Sequence, residues 1–556
     1  MSKRFLSPIG YGRFLILIAG LGGLLYGIDV GIIAAALLYL SKTISLTVEQ
    51  TSIIVAAVLG GSMFSSLVAG VLADWVGRKK MMIVSGLMFV VSVGLIVISQ
   101  GFVPLFCGRL LQGASGGVIA VVVPLYLAET LSAGNRGKGT AIFQFMLTFG
   151  IVIASIAGWF YTQQAETAIA AAAGNAGLIR AAQDHAWRGM FLSVIYPGVA
   201  FFVGACLLSE TPRWLVRHGR REHALMALRR SASEEESDLE LGEIEALAMR
   251  ETKTRVARAS GSLLQRKYVV PFVLACVILA CNQATGINSI LGFLVIILKQ
   301  AGMTARHATQ GDVVVKVLNS LMTIVAVALV DRKGRKFLLK IGTGGIIVAL
   351  VMAALLFHGF ESQRVDVAAN VRTALHESGL KLPVDELRLG AGGEERATAL
   401  TVFYSQGGGD KVVTVLSNDP DPVVRIAGQG LMIQRALYGP VPAERTGWLI
   451  TACLGLFIAS YSVGPGVVVW LALSELMPTR IRSTGMGIAL LLNQGVSTLI
   501  AAVFLPVVGR YGYYAMFFFW AGCTVIYFVT ATFFLPETKG KTLEEVERFF
   551  DKEARA

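Results

Sequence analysis

The chain has 556 residues, of which 54% are hydrophobic and only 15% charged, and its mean hydropathy is +0.66. That charged fraction is far below that of ordinary soluble domains and excludes a water-soluble globular enzyme. The formal charge of +13 does not indicate a nucleic-acid binder, because the basic residues form short clusters between apolar runs with no base-stacking aromatics among them.

Apolar runs of roughly 20 residues, enough to cross a bilayer core, recur along the chain and leave no continuous soluble domain. In chain order, spanning helices are expected at 13–38, 50–73, 81–100, 102–128, 138–162, 187–209, 269–299, 310–331, 337–359, 446–474, 483–508 and 512–535. Lys3, Arg4 and Arg13 precede the first run, but no small-residue cleavage site leads into soluble sequence, so this run reads as a spanning helix and not a signal peptide. Alternate connections carry Arg78, Lys79, Lys80, Arg136, Lys138, Arg332, Lys333, Arg335, Lys336, Arg480 and Arg482. The positive-inside rule puts this set in the cytoplasm, together with both termini and the charged segment 213–268, and an even number of spans satisfies that parity. Cys107, Cys206, Cys276, Cys281, Cys453 and Cys523 lie in or beside apolar segments without metal-ligand spacing, and are expected to be buried, inert thiols.

The chain repeats itself. Asp74-Trp-Val-Gly77-Arg78-Lys79 returns as Asp331-Arg-Lys-Gly334-Arg335-Lys336; Glu129 with Arg136 returns as Glu475 with Arg482; Glu210-Thr211 returns as Glu537-Thr538. Three signals in one order at equivalent helix ends indicate two six-helix halves of the same orientation. The spacing Asp331 to Glu475 exceeds that of Asp74 to Glu129 by 89 residues, which matches a polar insertion at about 360–445 between helices 9 and 10. The spacing Glu129 to Glu210 exceeds that of Glu475 to Glu537 by 19 residues, which fits an Ala-rich external loop at 163–186. The expected organisation is a first half 1–212, a cytoplasmic linker 213–268, a second half 269–535 and a tail 536–556. The insertion reads as a small folded α/β cap, with helix-like 364–378 and 423–437 flanking strand-like 399–404 and 411–416.

Further short motifs follow in order: Gly22-Gly23 to Gly27-Ile-Asp29, Arg109-Leu-Leu-Gln-Gly113, Pro124-Leu-Tyr-Leu-Ala-Glu129, Glu210-Thr-Pro212-Arg213-Trp214-Leu215, Gln283-Ala-Thr-Gly286-Ile-Asn288, Trp470 with Ser474-Glu475, and Pro536-Glu537-Thr538-Lys539-Gly540. With the Asp74–Lys79 motif, their joint order and spacing resemble the sugar porter family of the major facilitator superfamily, which includes bacterial sugar-proton symporters and animal glucose facilitators. The resemblance spans nearly the whole chain and implies an all-α membrane protein of twelve helices that carries a sugar and is no enzyme.

Asp29 is a carboxylate within an apolar helix and needs a partner, a proton or water. At ~1.5 Å per residue, it lies about 14 Å from an outer helix end near 38, and Arg109 lies about 10 Å into helix 4, so the two depths match. A carboxylate alternating between an Arg pair and a protonated form ties proton binding to conformation, and the family resemblance agrees, because symporters carry an Asp here. Neutral polyols need groups that both donate and accept, as amides do. Gln144, Asn282, Gln283, Asn288, Asn319 and Asn493 match the family's sugar-binding positions, and Trp470 is placed to cover a sugar ring. Gly464-Pro465-Gly466 is the expected hinge. The charges Asp74, Arg78, Glu129, Arg136, Glu210, Arg213, Asp331, Arg335, Glu475 and Arg482 lie at cytoplasmic helix ends, where the resemblance implies a gate pairing the two halves.

The expectation is therefore a proton-coupled monosaccharide symporter, with the proton as coupling ion, sugar and lipid bilayer as partners, and no cofactor, metal or nucleic acid. A facilitative uniporter and a sugar sensor using the insertion are the alternatives. Helix 7 departs from the family with Asn282-Gln283 for Gln-Gln and Gly292-Phe293 for an aromatic pair. The absence of Asn-x-Ser/Thr sequons points to a bacterial inner membrane, and the absence of a phosphate loop excludes an ATP-driven pump.

Overall fold

The structure is a computed structural model and describes residues 8–131, 133–231, 233–257, 266–376, 379–387, 398–406, 409–417, 422–428, 430–469, 476–477, 481–537, 545 and 550. Backbone polar groups in hydrocarbon must be satisfied within their own segment, and the apolar runs accordingly form helices. Among the described residues, twelve are long and apolar enough to span a membrane: spans 1 to 12 are Gly10–Gly31, Val48–Val76, Arg78–Ile98, Phe102–Thr130, Ala141–Ala171, Ala176–Leu207, Tyr268–Gln300, Ala305–Val330, Arg335–Glu361, Glu444–Val469, Gly485–Tyr511 and Tyr513–Phe534. The bundle end carrying Arg78–Lys80 and Arg332–Lys336 is termed the basic face, and the end carrying the insertion the cap face.

The repeat has a physical basis. At the basic face Gly77 and Gly334 adopt φ of 105° and 90°, the left-handed region open to glycine, and turn the chain into spans 3 and 9. The free amides at those two helix starts are taken by carboxylates from beyond spans 6 and 12. Glu210 accepts from the amides of Arg78 and Lys79 at 3.0 and 3.1 Å, and Glu537 from those of Arg335 and Lys336, both at 3.1 Å. The device occurs again at the cap face, where Glu361 accepts from the amides of Tyr513 and Tyr514 after Gly512.

Four expectations need correction. The first helix, interrupted at Ile32, resumes as Ile33–Thr43 and does not stop near 38. Asp29 therefore lies about 21 Å from its end at ~1.5 Å per residue. The Ala-rich stretch 163–186 is not a loop: spans 5 and 6 continue through it as helices joined by a turn at 172–175. The two extensions belong together, because Tyr39 donates to Glu166 at 2.8 Å and the Trp187 indole to Thr43 at 2.8 Å. The cysteines are not uniformly buried: Cys453 is, whereas Cys107 and Cys206 are exposed.

The fourth correction concerns the insertion, a compact cap that is mostly β. Strands β1 (Val365–Asp366), β4 (Thr398–Gln406), β5 (Gly409–Leu416) and β7 (Met432–Pro440) form one antiparallel sheet in the order β1-β7-β4-β5; β2 (Leu375–His376), β3 (Gly379–Pro383) and β6 (Val423–Ala427) form a second. The expected helix 423–437 is thus two strands, because Val424 and Ile426 are buried and Arg425 between them is exposed, a period of two that suits a strand. Of the expected helix 364–378, Ala368–Thr373 is helical. The cap has its own apolar core around Leu400, Val402, Val424 and Ala436. It touches both halves of the bundle: Lys411 donates to Ser45, and Arg435 to the carbonyl of Arg510.

The linker forms three helices, Pro212–Arg217, Arg221–Leu228 and Glu234–Ala257, closed over a small core of Trp214, Leu228 and Leu241. The two halves of the bundle meet from the cap face to mid-depth: Ser52 accepts from the Leu505 amide, Gly60 lies against Thr498, and Thr148 meets Ser320 at 3.4 Å. The apolar core is continuous across the halves there, whereas toward the basic face Leu274, Ile278, Leu338 and Val468 form a separate core of the second half. Among the described residues, the named contacts between the halves lie from the cap face to mid-depth.

Candidate transport site

Asp29 and Arg109 are fully buried and face each other, with Arg109 Nη1 donating to Asp29 Oδ1 at 3.3 Å. The same nitrogen makes a shorter bond, 2.6 Å, to Gln112 Oε1 one turn along span 4, and the guanidinium lies 5.6 Å from the Phe191 ring centroid. Arg109 therefore keeps a hydrogen bond and an aromatic face when Asp29 is neutral. Asp29 Oδ2 has no hydrogen-bond partner and lies over Gly116, whose missing side chain leaves room for a proton on that oxygen. Gln112 and Phe191 were missed in the sequence, although Gln112 belongs to the Arg109–Gly113 motif.

The amides converge in part. Gly286, with φ of 84° and the Trp520 indole packed against it, breaks span 7 between Ala284 and Ile287. The break brings Asn288 back toward Gln283, so that Asn288 Nδ2 donates to Gln283 Oε1 at 3.0 Å and to Ser497 Oγ at 2.8 Å. Gln283 Nε2 donates to Asn493 Oδ1 at 3.2 Å, and Asn493 in turn to the carbonyl of Leu279. Asn282 faces Tyr461 on span 10, and Asn319 accepts from Ser462 at 2.7 Å. Span 7 thus joins an amide cluster on span 11 to a second polar group on span 10. Gln144 is exposed, one turn from Thr148 on the seam with span 8. Trp470 lies outside the described residues.

Span 10 widens into a π-type turn over Ser462–Gly466, and Gly464 packs against the Gly342 backbone of span 9, where a side chain on either residue would collide. Close helix packing therefore explains Gly464 at least as directly as a hinge does.

At the basic face, the Arg78 guanidinium is 2% exposed and bonds Asp74 at 2.6 Å, Glu129 at 2.9 Å and the Ala73 carbonyl at 3.0 Å. Thr211 Oγ1 donates to the other Glu129 oxygen at 2.6 Å. Burial pushes the Glu210 carboxyl above the usual range, an effect opposed by the amides of Thr211, Lys79 and Arg78 and by the Arg78 charge. Among the described residues these contacts close within the first half, and none pairs Arg78, Glu129 or Glu210 with the second. Arg213 is half-buried on the first linker helix. Glu475 and the side chains of Arg136, Asp331 and Arg482 lie outside the described residues.

One ion pair had no counterpart among the expectations. Asp312 and Lys316, on span 8, are 1% and 0% exposed and 2.8 Å apart. The Lys316 ammonium also donates to the carbonyl of Gly31 in the other half at 3.1 Å.

Comparison with known proteins supplies the frame for these sites. The sugar (and other) transporter family pattern matches residues 15–375 and 427–550, interrupted within the cap. The glucose transporter GlcP of Staphylococcus epidermidis is 27% identical over 543 residues, covering 96% of each chain. The human proton myo-inositol cotransporter is 27% identical over 546 residues, covering 96% of this chain and 81% of its own. The Escherichia coli xylose transporter XylE, in a partially occluded inward open conformation, superposes with a TM-score of 0.67 at 19% identity, covering 95% of this chain and 99% of its own. Twelve apolar helices in this fold and a family match over most of the length make this chain an integral, multi-pass transporter of the sugar porter family of the major facilitator superfamily, not an enzyme.

Proposed function

We propose that the protein imports a monosaccharide together with a proton by alternating access, in a bacterial inner membrane with the basic face and both termini in the cytoplasm. The observation that carries this reading is the buried Asp29–Arg109 pair, in which Arg109 already shares its donor with Gln112. Protonation of Asp29 releases Arg109 to a partner already in place, so the charge state of one carboxyl biases the packing of span 1 against span 4. The sugar is taken by Gln283, Asn288 and Asn493, whose amides offer donors and acceptors without net charge. A relative named as a proton myo-inositol cotransporter supports the same direction.

The test is uptake of labelled glucose, xylose and myo-inositol into right-side-out vesicles under an imposed proton gradient. At least one should accumulate above the outside concentration and lose that accumulation when an uncoupler is added. Gradient-independent equilibration would favour a uniporter.

A sensor would depend on the cap. In the cap, β1 at its start pairs with β7 at its end, Val365 opposite Tyr438, so its two ends lie side by side. Replacing 365–440 by a short Gly-Ser linker is expected to leave the bundle folded and uptake within about twofold of the parent, because closing a short loop there costs little. Loss of sugar binding in that variant, measured by thermal shift, would favour the sensor.

A further inference from the structure

We propose that Asp312 and Lys316 form a charged latch that holds the external gate closed, with Lys316 of the second half gripping the main chain of the first at the interruption of helix 1. The pair lies about 10 to 16 Å below the start of span 8 at ~1.5 Å per residue, in the zone where the halves are closed against each other. An ion pair buried at that depth in a spanning helix is costly unless its geometry is well satisfied. Here Asp312 Oδ2 takes the ammonium at 2.8 Å and the Gly31 carbonyl takes it at 3.1 Å. Asp312 Oδ1 has no partner, so the structure tolerates the pair without fully satisfying it.

The contact to Gly31 is what makes the pair sensitive to state. Gly31 is packed against Ile151 and Ala154 of span 5, where a side chain would collide, which fixes its carbonyl at the seam. On the same seam Arg306 of span 8 donates to Thr167, and Ser320 meets Thr148. Opening the gate toward the cap face must pull span 8 from spans 1 and 5, and so strip Lys316 of its cross-half acceptor and admit water to the pair. The ion pair is then hydrated in the outward-open form and dry in the closed one. Asp312 is a positioning residue that neutralises Lys316 and aims it along span 8.

The inference rests on the alternating-access reading above, but its readout uses neither sugar nor proton. In a background with all six cysteines replaced, Val55→Cys reports on the gate, because Val55 is buried at the seam against Gly292. Lys316→Met should raise its labelling by a membrane-impermeant maleimide applied to whole cells roughly tenfold, the population shift given by loss of one charge-assisted bond. Lys316→Gln provides the same comparison if the Met variant does not fold. Lys316→Arg, which keeps the charge and the donor, should label slowly like the parent. The reversed pair, Asp312→Lys with Lys316→Asp, keeps neutrality but moves the ammonium a turn away from Gly31 and should label fast. Unchanged labelling in folded Lys316→Met or Lys316→Gln overturns the latch, as does slow labelling by the reversed pair, which would reduce the role to charge balance. Gradient-independent sugar uptake would sink the symport reading and leave these rates untouched.

Discussion

Asp29→Asn is expected to abolish sugar accumulation while leaving sugar exchange intact. One proton moved per sugar through 100 mV supplies about 2.3 kcal/mol, enough for roughly fiftyfold concentration. The parent should approach that ratio in energised vesicles, and the variant should stay near unity. Counterflow, in which unlabelled sugar inside drives labelled sugar in, needs no proton cycle and should persist, because the introduced amide is close to isosteric with a protonated Asp29 and Arg109 retains Gln112. Accumulation that survives the substitution would remove Asp29 from the coupling role.

The second large effect is one of stability. Arg78→Met should cost about 3–5 kcal/mol, because it leaves the Glu129 carboxylate, 8% exposed, with the Thr211 hydroxyl as its remaining partner among the described residues. Asp74 is 60% exposed, so Asp74→Ala, which removes the other carboxylate partner of Arg78, should cost well under ~1 kcal/mol. The double variant Arg78→Met with Glu129→Gln should recover part of the loss, since no buried charge is then unpaired. Unfolding of detergent-purified protein, followed by temperature, ranks the four chains. A fall of similar size for Asp74→Ala and Arg78→Met would refute the assignment of the energy to the buried pair.

How much could be read in advance varied with the physics involved. The spans were legible because lipid demands long apolar helices, and the halves because the glycine turn and the later Glu-Thr that caps it recur in one order, Gly77 with Glu210 and Gly334 with Glu537, whatever the chain between them. Asp29 and Arg109 were legible as charges with nowhere else to go. Asp312 and Lys316 carry an equally plain signal, opposite charges at i and i+4 inside an expected span. The contact of Lys316 with Gly31 is tertiary and leaves no local mark. Gln283, Asn288 and Asn493 were legible as candidates, whereas their convergence depends on the break at Gly286 and the approach of span 11. The cap strands at 423–427 and 432–440 were misread because short apolar runs suit either element and a sheet partner decides between them.

The two basic-face carboxylates bear on how the chain can be divided. Glu210 lies beyond the last residue of span 6, and Glu537 beyond the last of span 12, yet each finishes a helix that begins some 130 to 200 residues earlier. A severed first half that stops with its sixth span would lack the stopper of its third. Two co-expressed fragments should therefore reassemble when the cut falls within the linker beyond Thr211, and fail when it falls at Leu208, although no membrane-embedded residue differs between the two designs.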